Sequence, residues 1–493
     1  MDSPLVNSLF RQLFSHRAGQ CLRTGSLHVA RSQRRGLFGG PRKGRSKVRE
    51  DEVEKWVPRP EKFPEDRMGE LEKYNWVTAQ TLRSRKQRPK RVKMLMRDFI
   101  EDSLYNPSYG YFSKQVVIFH PGEPFDFNAM KDEPEFQRIL GERYTQFEDQ
   151  LDEKEKDDVR QLWHTPTELF RPYYGESIAR YLVTNYKLSQ YPYHDLLIYE
   201  MGAGNGTLMI NILDYIRNHH PEVYERTQYR VIEISESLAS LQVQQLKRTA
   251  AARGHWDKVQ IINRSVFDWD QYVSSPCFFL ALEVFDNFAH DCIRYDVETE
   301  KAYQGSVVID GQGDFYDFYD ETIDPVAARY LRVRDAAATR PFKTPLSGSR
   351  LLRNLFPQTA SSLTEPEYIP TRLMQFFDIL NNYFPAHKLV TSDFHALPDT
   401  VKGVNAPVVQ TRYKKRTIPV STALVQQGYF DILFPTDFQV MEDVYRAITG
   451  RLTRVLTHED FMRRWAYVED TEVRSGENPL LNWYQNASVM TTV

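Results

Sequence analysis

A short glycine-rich stretch near the middle of the chain has the composition of a ligand-binding loop. Gly202, Gly204 and Gly206 alternate with other residues, and the acidic Glu200 stands just before them. The apolar run Leu196–Ile198 precedes this stretch and an amphipathic run follows it, which predicts a strand, a loop and a helix. Glycine has no Cβ and tolerates a positive φ, so the backbone of such a loop can approach a nucleotide-type ligand closely. The stretch therefore predicts a site for an adenosyl cofactor.

The spacing of the glycines indicates which adenosyl cofactor the loop would bind. A dinucleotide-binding loop has the pattern G-x-G-x-x-G, whereas this chain has G-x-G-x-G followed by Thr207. S-adenosylmethionine has no diphosphate to cradle, and the shorter pattern is typical of the transferases that use it. The next predicted strand ends near Glu233, whose carboxylate would accept hydrogen bonds from both ribose hydroxyls. The alternative for Glu233 is an acid that only favours the N-terminus of the following helix.

Residues after the third predicted strand suit the adenine of such a cofactor. In the segment Val266–Trp269, the apolar side chains, Phe267 among them, would cover an adenine face. Asp268 would meet the adenine amino group. The alternative is a plain turn without a ligand.

Two acids follow the fourth predicted strand, which is nearly all apolar. Glu283 ends this strand and Asp286 follows it closely. An isolated acid at this place would be costly to bury unpaired, so we expect the two carboxylates to face a cation in a cleft. Arginine is the expected cation, because its guanidinium is always charged and binds carboxylates in a planar fork. We therefore predict that Glu283 and Asp286 are catalytic residues; a structural ion pair is the alternative.

Strands and helices alternate through the centre of the chain, which predicts a doubly wound α/β fold. Continuous apolar strands of this kind are typical of a mostly parallel sheet covered on both faces. In such a sheet the ligand lies outside the carboxyl ends of the strands, where all of the residues above fall. We expect strands at Leu196–Tyr199, Tyr229–Ile234, Lys258–Ile262, Phe278–Val284 and Lys388–Ser392, and helices at Asn205–His219 and Ser237–Ala252.

Changes of pattern divide the chain into five predicted parts. Residues 1–49 are rich in arginine with Asp2 as the only acid, which predicts a mitochondrial transit peptide; a disordered basic tail is the alternative. Residues 50–93 are charged and are expected to form a linker or surface arm. The core is predicted at 94–292, beginning with an N-terminal helical arm, and at 385–493. Residues 293–384, with a hairpin turn at Asp310–Gly313, are predicted to be an inserted α+β substrate lobe.

The composition argues against several classes of protein. The chain has 493 residues, 41% of them hydrophobic, and a formal net charge of −2, which is not typical of a nucleic-acid binder. The basic run at 83–93 is expected to be solvated, with a nucleic-acid or nuclear-import patch as the alternative. Three cysteines without metal-ligand spacing predict neither a disulfide framework nor a metal site. The most apolar run, Cys277–Phe285, is too short to span a bilayer.

Several segments together resemble the MidA-like family of S-adenosylmethionine-dependent methyltransferases, from Met94 to about Trp465. The chain departs from the family pattern at Leu282, where the family has Asn, and at Asp286–Ala289, where the family has Asp-x-Leu-Pro. The segments that carry the resemblance are Met96–Phe99, Tyr109–Phe112, Thr165–Phe170, Tyr174–Glu176, Glu200–Leu208, Val231–Leu238, Glu283 with Asp286, Gly428–Ile432, Thr436–Phe438, Leu456 with Thr457, and Phe461.

The resemblance implies a seven-stranded methyltransferase sheet with S-adenosylmethionine as cofactor. It also implies a protein arginine methyltransferase of the mitochondrial matrix, which symmetrically dimethylates a respiratory complex I subunit and supports complex I assembly. One alternative is a catalytically weakened assembly or mitoribosome-associated factor that keeps the fold. The other is a methyltransferase for another acceptor, such as a glutamine amide, rRNA or a small molecule.

Overall fold

The computed structural model of this chain describes residues 63–114, 116–247, 254–347 and 362–493. The predicted transit peptide at 1–49 and the first part of the expected linker lie outside these residues. Among the helices that are described, none combines the length and the apolar character needed to cross a membrane.

The centre of the molecule is a seven-stranded sheet. In chain order its strands are β1 Leu196–Met201, β2 Thr227–Glu233, β3 Val259–Asn263, β4 Cys277–Leu282, β5 His387–Phe394, β6 Thr453–Thr457 and β7 Ala487–Thr492. They lie side by side in the order β6-β7-β5-β4-β1-β2-β3, and only β7 runs antiparallel to its neighbours. This arrangement confirms the predicted doubly wound α/β fold with a mostly parallel sheet.

The strand order reverses between β1 and β4, which places the ligand crevice of the sheet. Connections from β1 and β4 leave toward opposite sides, so the loops at their carboxyl ends diverge. Both strands are buried almost throughout, as their apolar sequences require. Ile198 of β1 packs in the core on one face, and its neighbour Tyr199 packs in the core on the other.

Helices cover both faces of this sheet. The helix predicted at Ser237–Ala252 spans Glu236–Gln245 among the described residues, and Ser235 caps it by accepting the Leu238 N–H at 3.3 Å. Residues 248–253 lie outside the described part of the chain. One face is packed by Tyr173–Ser189, Thr207–His219 and His458–Trp465, the other by Pro325–Ala337, Thr371–Tyr383 and Phe438–Thr449, and two more long helices are Met96–Tyr105 and Glu133–Lys154.

A second sheet combines strands of the lobe expected at 293–384 with strands of the N-terminal arm. Its hairpin turns at Asp310–Gly313, as predicted, and Asp310 Oδ1 accepts three successive backbone N–H groups there. Val92–Leu95 pairs antiparallel with Ser306–Ile309, so the end of the expected linker contributes a strand. The six strands are Asn75–Trp76, Val92–Leu95, Asp291–Tyr295, Ala302–Ile309, Phe315–Asp320 and Glu367–Ile369.

Two smaller sheets contact the carboxyl edge of the central sheet. Phe434, just after the third strand of one of them, donates its N–H to the carbonyl oxygen of Asp286 at 2.7 Å. Ile118, from the other, lies against the glycine loop after β1. The first sheet consists of Val408–Tyr413, Arg416–Val420 and Asp431–Leu433, and the second pairs Val116–Ile118 with Gln161–Trp163.

Candidate active site

The glycine loop follows β1 and packs closely against two neighbouring segments. Gly202, Gly204 and Gly206 have φ values of +72°, +52° and +78°, which L side chains rarely adopt. A Cβ on Gly202 would lie 2.8 Å from Cγ1 of Val284, and one on Gly204 would lie 2.7 Å from Cδ1 of Ile118. Gly206 has no such conflict. The first two glycines are therefore required by both conformation and close approach, and the third by conformation.

A buried glutamate outside the sheet holds this loop in place. Glu168 accepts hydrogen bonds from Nδ2 of Asn205 at 2.9 Å and from Oγ1 of Thr207 at 2.7 Å. Nδ1 of His120 lies 2.9 Å from its other carboxylate oxygen. Glu168 belongs to the segment Thr165–Phe170, which carries part of the family resemblance. Sequence reasoning did not foresee its contact with the loop, because the segment lies well before β1 in the chain.

Glu200, near the end of β1, is buried, and one side chain of the described residues donates a hydrogen bond to it. The hydroxyl of Tyr229 donates to Oε2 of Glu200 at 2.8 Å. Burial raises the pKa of Glu200 to about 7; the Tyr229 hydrogen bond opposes this shift and the charge of Glu233 adds to it. Near neutral pH this carboxyl group is therefore divided between its two protonation states.

Glu233, the predicted ribose acid, is tied to the glycine loop by a glutamine. Its Oε1 accepts the Ser235 N–H at 3.0 Å, and its Oε2 accepts from Nε2 of Gln242 at 3.0 Å. The same nitrogen donates to the carbonyl oxygen of Gly204 at 2.9 Å. Burial raises the pKa of Glu233. Hydroxyl donors would stabilise its charged form, since a carboxylate accepts several hydrogen bonds. Gln242 lies within a helix and carries no local sequence signal that would mark it as part of the site.

Phe267 and Asp268, the predicted adenine residues, follow β3 and have protein partners. The ring of Phe267 packs edge-on against Phe288, with centroids 5.3 Å apart, and the guanidinium of Arg372 lies 4.6 Å from its centroid. Asp268 is half-exposed and forms an ion pair with Arg83 at 2.7 Å. An adenine amino group at this place would share the Asp268 carboxylate with Arg83.

The turn after β4 has an unusual backbone and is held from β5. Glu283 has a φ of +53°, and its N–H donates to the carbonyl oxygen of Ser392 at 2.8 Å. Oδ2 of Asp393 accepts the N–H groups of Phe285 at 2.9 Å and Asp286 at 3.3 Å. Positive φ values in bulky residues cluster at functional sites, where the surrounding structure maintains them. Asp393 provides that support here, and the sequence analysis did not identify it.

Asp286 is buried with one carboxylate oxygen unused. Its Oδ1 has no hydrogen-bond partner among the described residues, and the residue is 3% exposed. Burial raises the pKa of Asp286 well above its ordinary value, and the charges of Asp393, Asp431 and Glu283 raise it further. Burial and the charge of Asp393 likewise raise the pKa of Glu283. This turn therefore concentrates buried carboxyl groups that favour their protonated form until a cation approaches.

A fourth acid reaches the same place from the three-stranded sheet. Oδ1 of Asp431 accepts from Nδ2 of Asn287 at 2.9 Å. Burial raises the pKa of Asp393 to about 7 and that of Asp431 to about 7. We refer to Glu283, Asp286, Asp393 and Asp431 as the acid cluster. In the described segments, no lysine or arginine forms an ion pair with any of its members.

The glycine loop and the acid cluster adjoin each other. Val284, which limits the space at Gly202, directly follows Glu283 in the turn. The hydroxyl of Tyr105 donates to the carbonyl oxygen of Asn287 at 3.2 Å. Burial raises the pKa of Tyr105, and the charges of Asp286, Asp431 and Glu233 contribute to this shift. The predicted ribose acid and the acid cluster therefore share a neighbour.

These residues suit an adenosyl cofactor that carries a reactive group at one end. The bare glycine backbone gives the close approach that such a ligand needs, and Glu233 offers a buried carboxylate to ribose hydroxyls. The acid cluster adjoins the glycine loop, since Val284, next to Glu283, lies against Gly202. Among the described residues, no group of three or more His, Cys, Asp or Glu side chains is arranged to hold a metal ion.

Two curated relatives are similar to this chain over most of their lengths. The Schizosaccharomyces pombe protein named "Protein arginine methyltransferase NDUFAF7 homolog, mitochondrial" is 27% identical over 393 residues, which cover 76% of this chain and 80% of that protein. The Saccharomyces cerevisiae protein of the same name is 21% identical over 340 residues, covering 64% of this chain and 77% of that protein.

A solved structure shows the same fold. The crystal structure of a protein from Burkholderia thailandensis bound to S-adenosyl-homocysteine aligns with 89% of this chain and 95% of its own, with a TM-score of 0.50 and 14% identity.

A family model covers the part of the chain that contains both halves of the site. The model describes S-adenosyl-L-methionine-dependent methyltransferases and matches residues 177–457, more than half of the chain. This span includes the glycine loop, Glu233 and the whole acid cluster. The match confirms S-adenosylmethionine as the cofactor and agrees with the resemblance to MidA-like methyltransferases. The chain therefore belongs to the family of S-adenosyl-L-methionine-dependent methyltransferases.

Proposed function

We propose that this methyltransferase modifies an arginine side chain of a protein. The observation that carries the proposal is the buried, unpartnered Oδ1 of Asp286 within the acid cluster. Buried carboxyl groups are normally paired, because burial of an isolated charge is costly. The missing partner of this turn is therefore a cation that arrives with the acceptor.

The chemistry of the acid cluster favours arginine among the possible acceptors. A guanidinium keeps its charge when water is removed and presents five N–H donors in a plane. A lysine ammonium also carries a charge, but it loses its proton more readily when it is buried. A neutral amide or hydroxyl would give Glu283 and Asp286 no positive partner, and both carboxyl groups would stay protonated.

Different residues of the site bind the cofactor, orient the acceptor and accept the proton during methyl transfer. When bound, S-adenosylmethionine would supply a methyl group from its sulfonium: the acceptor nitrogen would form a bond to the methyl carbon as the carbon–sulfur bond breaks, and the sulfur would keep the bonding pair as a neutral thioether. Glu233 and the glycine loop hold the adenosyl end, and Glu283 and Asp286 orient the guanidinium, which lowers the entropy cost of the reaction. The nitrogen loses a proton as its bond to the methyl carbon forms, so the guanidinium keeps a single positive charge. The bound guanidinium lowers the pKa of Asp286 and so ionises it, and Oδ1 of Asp286 can then accept this proton and pass it to water.

The acceptor in this proposal is a subunit of respiratory complex I, symmetrically dimethylated in the mitochondrial matrix. Both curated relatives are named as mitochondrial arginine methyltransferases, which supports the compartment and the acceptor side chain. The arginine-rich, acid-poor start of the chain supports import. The complex I subunit and the symmetric product rest on the resemblance to the MidA-like family.

The test uses tritiated S-adenosylmethionine and a protein extract from cells that lack this protein. Such an extract retains the unmethylated acceptor, so the acceptor need not be identified beforehand. The full chain is compared with Glu283→Gln and Asp286→Asn. Asp257→Asn is the matched control, because Asp257 is exposed beside the amino end of β3, away from the site.

We expect the label in dimethylarginine after hydrolysis of the extract protein. Each of the two site substitutions should reduce the rate by at least about 30-fold, which corresponds to the lower end of 2–5 kcal/mol for truncating a buried charged pair. The control should retain the full rate. Label in glutamine, RNA or small molecules, or unchanged rates for both site variants, would contradict the proposal.

A further inference from the structure

We propose that Asp431 binds the acceptor guanidinium directly and makes the pocket selective for it. This inference rests on the proposed function and extends it from the turn after β4 to the three-stranded sheet. Asp431 stands at the start of the strand Asp431–Leu433 and is 3% exposed. Its role does not follow from the sequence analysis, which placed the acceptor acids at Glu283 and Asp286.

Three hydrogen bonds hold the segment that begins with Asp431 against the turn that carries Asp286. Nδ2 of Asn287 donates both to Oδ1 of Asp431 at 2.9 Å and to the carbonyl oxygen of Ile432 at 3.1 Å. Phe434 donates its N–H to the carbonyl oxygen of Asp286 at 2.7 Å. The strand and the turn are therefore held as one unit, with the two carboxyl groups near enough to raise the pKa of Asp286.

Unpartnered polar groups around the cluster indicate that a ligand completes it. Oδ1 of Asp286 and the hydroxyl of Tyr484 are both buried without a hydrogen-bond partner among the described residues. Tyr484 is 6% exposed and lies near Glu283, whose charge adds to the effect of burial in raising the pKa of Tyr484. Native proteins rarely bury such groups unsatisfied. A ligand with several N–H donors would give Oδ1 of Asp286 the partner that it lacks.

The two remaining acids have different roles in this arrangement. Asp393 accepts the backbone N–H groups of Phe285, Asp286 and Phe394, so we assign it as a positioning residue for the turn. Asp431 accepts from a side chain and does not shape the turn backbone. A guanidinium presents donors in several directions of one plane and can meet Asp286 and Asp431 together. A compact ammonium has fewer donors and no such plane.

The substitution Asp431→Asn tests this assignment with little structural change. The new amide has the same shape, and its oxygen can still accept the hydrogen bond from Asn287. Its NH₂ group would then face the guanidinium and repel it. The assay measures methylation of the extract described above by the full chain, with ethylguanidinium chloride as a competing probe. Asp257→Asn is again the control, and calorimetry gives the affinity for S-adenosylmethionine.

We expect Asp431→Asn to raise the acceptor KM and the inhibitory concentration of ethylguanidinium by about tenfold or more, as expected for loss of a charged hydrogen-bond partner. The affinity for S-adenosylmethionine should stay within about twofold, which separates this role from damage to the fold. Unchanged KM and inhibition in Asp431→Asn would overturn the inference and leave the proposed function standing. A wild-type chain that places no label in arginine would overturn both.

Discussion

Replacement of Gly202 by alanine tests the packing between the glycine loop and the turn after β4. Gly202 has a φ of +72°, and an alanine in this left-handed conformation costs roughly 1–2 kcal/mol. Its Cβ would also lie 2.8 Å from Cγ1 of Val284. Valine is stiff at χ1, so relief requires a backbone shift, and overpacking of this kind costs about 1–3 kcal/mol. The expected total is therefore about 2–5 kcal/mol.

Gly206→Ala is the matched control, because it shares the conformational strain without the steric conflict. Gly206 has a φ of +78°, and the nearest atom to a Cβ there is Cε of Met209 at 3.6 Å. The expected loss is about 1–2 kcal/mol, from the left-handed conformation alone. Gly204→Ala should fall between the two, because the conflicting atom is the end of the flexible Ile118 side chain.

The free-energy cost of each substitution can reduce either the stability of the chain or its affinity for the cofactor, so both are measured. Urea unfolding without cofactor gives the change in the free energy of unfolding, and calorimetry gives the change in affinity for S-adenosylmethionine. If the loop shifts to relieve strain, the free energy of unfolding decreases less, but the shifted loop binds S-adenosylmethionine more weakly. The two free-energy changes are therefore added. The sum for Gly202→Ala should exceed that for Gly206→Ala by about 1–3 kcal/mol. An equal or larger sum for Gly206→Ala would refute the reasoning.

Three further substitutions test individual residues of the cofactor site. Glu233→Gln should weaken S-adenosylmethionine binding by roughly 10- to 100-fold in calorimetry, because charged hydrogen bonds to the ribose are lost; unchanged affinity would remove Glu233 from the site. The pKa of Glu200 is about 7 in the folded chain against 4.5 ordinarily, so wild-type stability should fall as pH rises from 4.5 through 7 and then level off. Urea unfolding at pH 5 and pH 8 gives the fall in the free energy of unfolding between these two pH values, and Glu200→Gln should reduce this fall by up to about 3 kcal/mol. The same fall in the variant and the wild type would contradict the raised pKa of Glu200. Arg83→Gln should change the free energy of unfolding by less than about 1 kcal/mol, since the ion pair between Arg83 and Asp268 is partly exposed. The same substitution should tighten S-adenosylmethionine binding up to about fivefold, because it frees Asp268 for the adenine. Weaker binding would contradict this role of Asp268.

The strands and the glycine loop could be predicted because their signals are local. β1 and β4 are nearly continuous apolar runs, and β2 and β3 are short runs rich in β-branched residues. The structure places each of the four within two residues of its predicted start. The turn at Asp310–Gly313 was equally visible, because aspartate and glycine favour tight turns. Signals of this kind need only neighbouring residues.

Features that depend on distant partners could not be predicted in this way. Val92–Leu95 is short and follows a basic run, and it becomes a strand because it pairs with Ser306–Ile309 far along the chain. Asp393 and Asp431 belong to the acid cluster because β5 and the three-stranded sheet meet the turn after β4. Neither aspartate has a local pattern that distinguishes it from a turn or strand-end acid. Gln242 was missed for the same reason.

A crystal structure of the full chain with S-adenosylmethionine bound tests the central claim most directly. The claim is that the adenosyl end lies on the glycine loop and the methyl group faces the acid cluster. We predict ribose hydroxyls on Glu233 and the methyl group directed toward Glu283 and Asp286. A cofactor bound with its methyl group turned away from these two acids, or held at another edge of the sheet, would contradict the account.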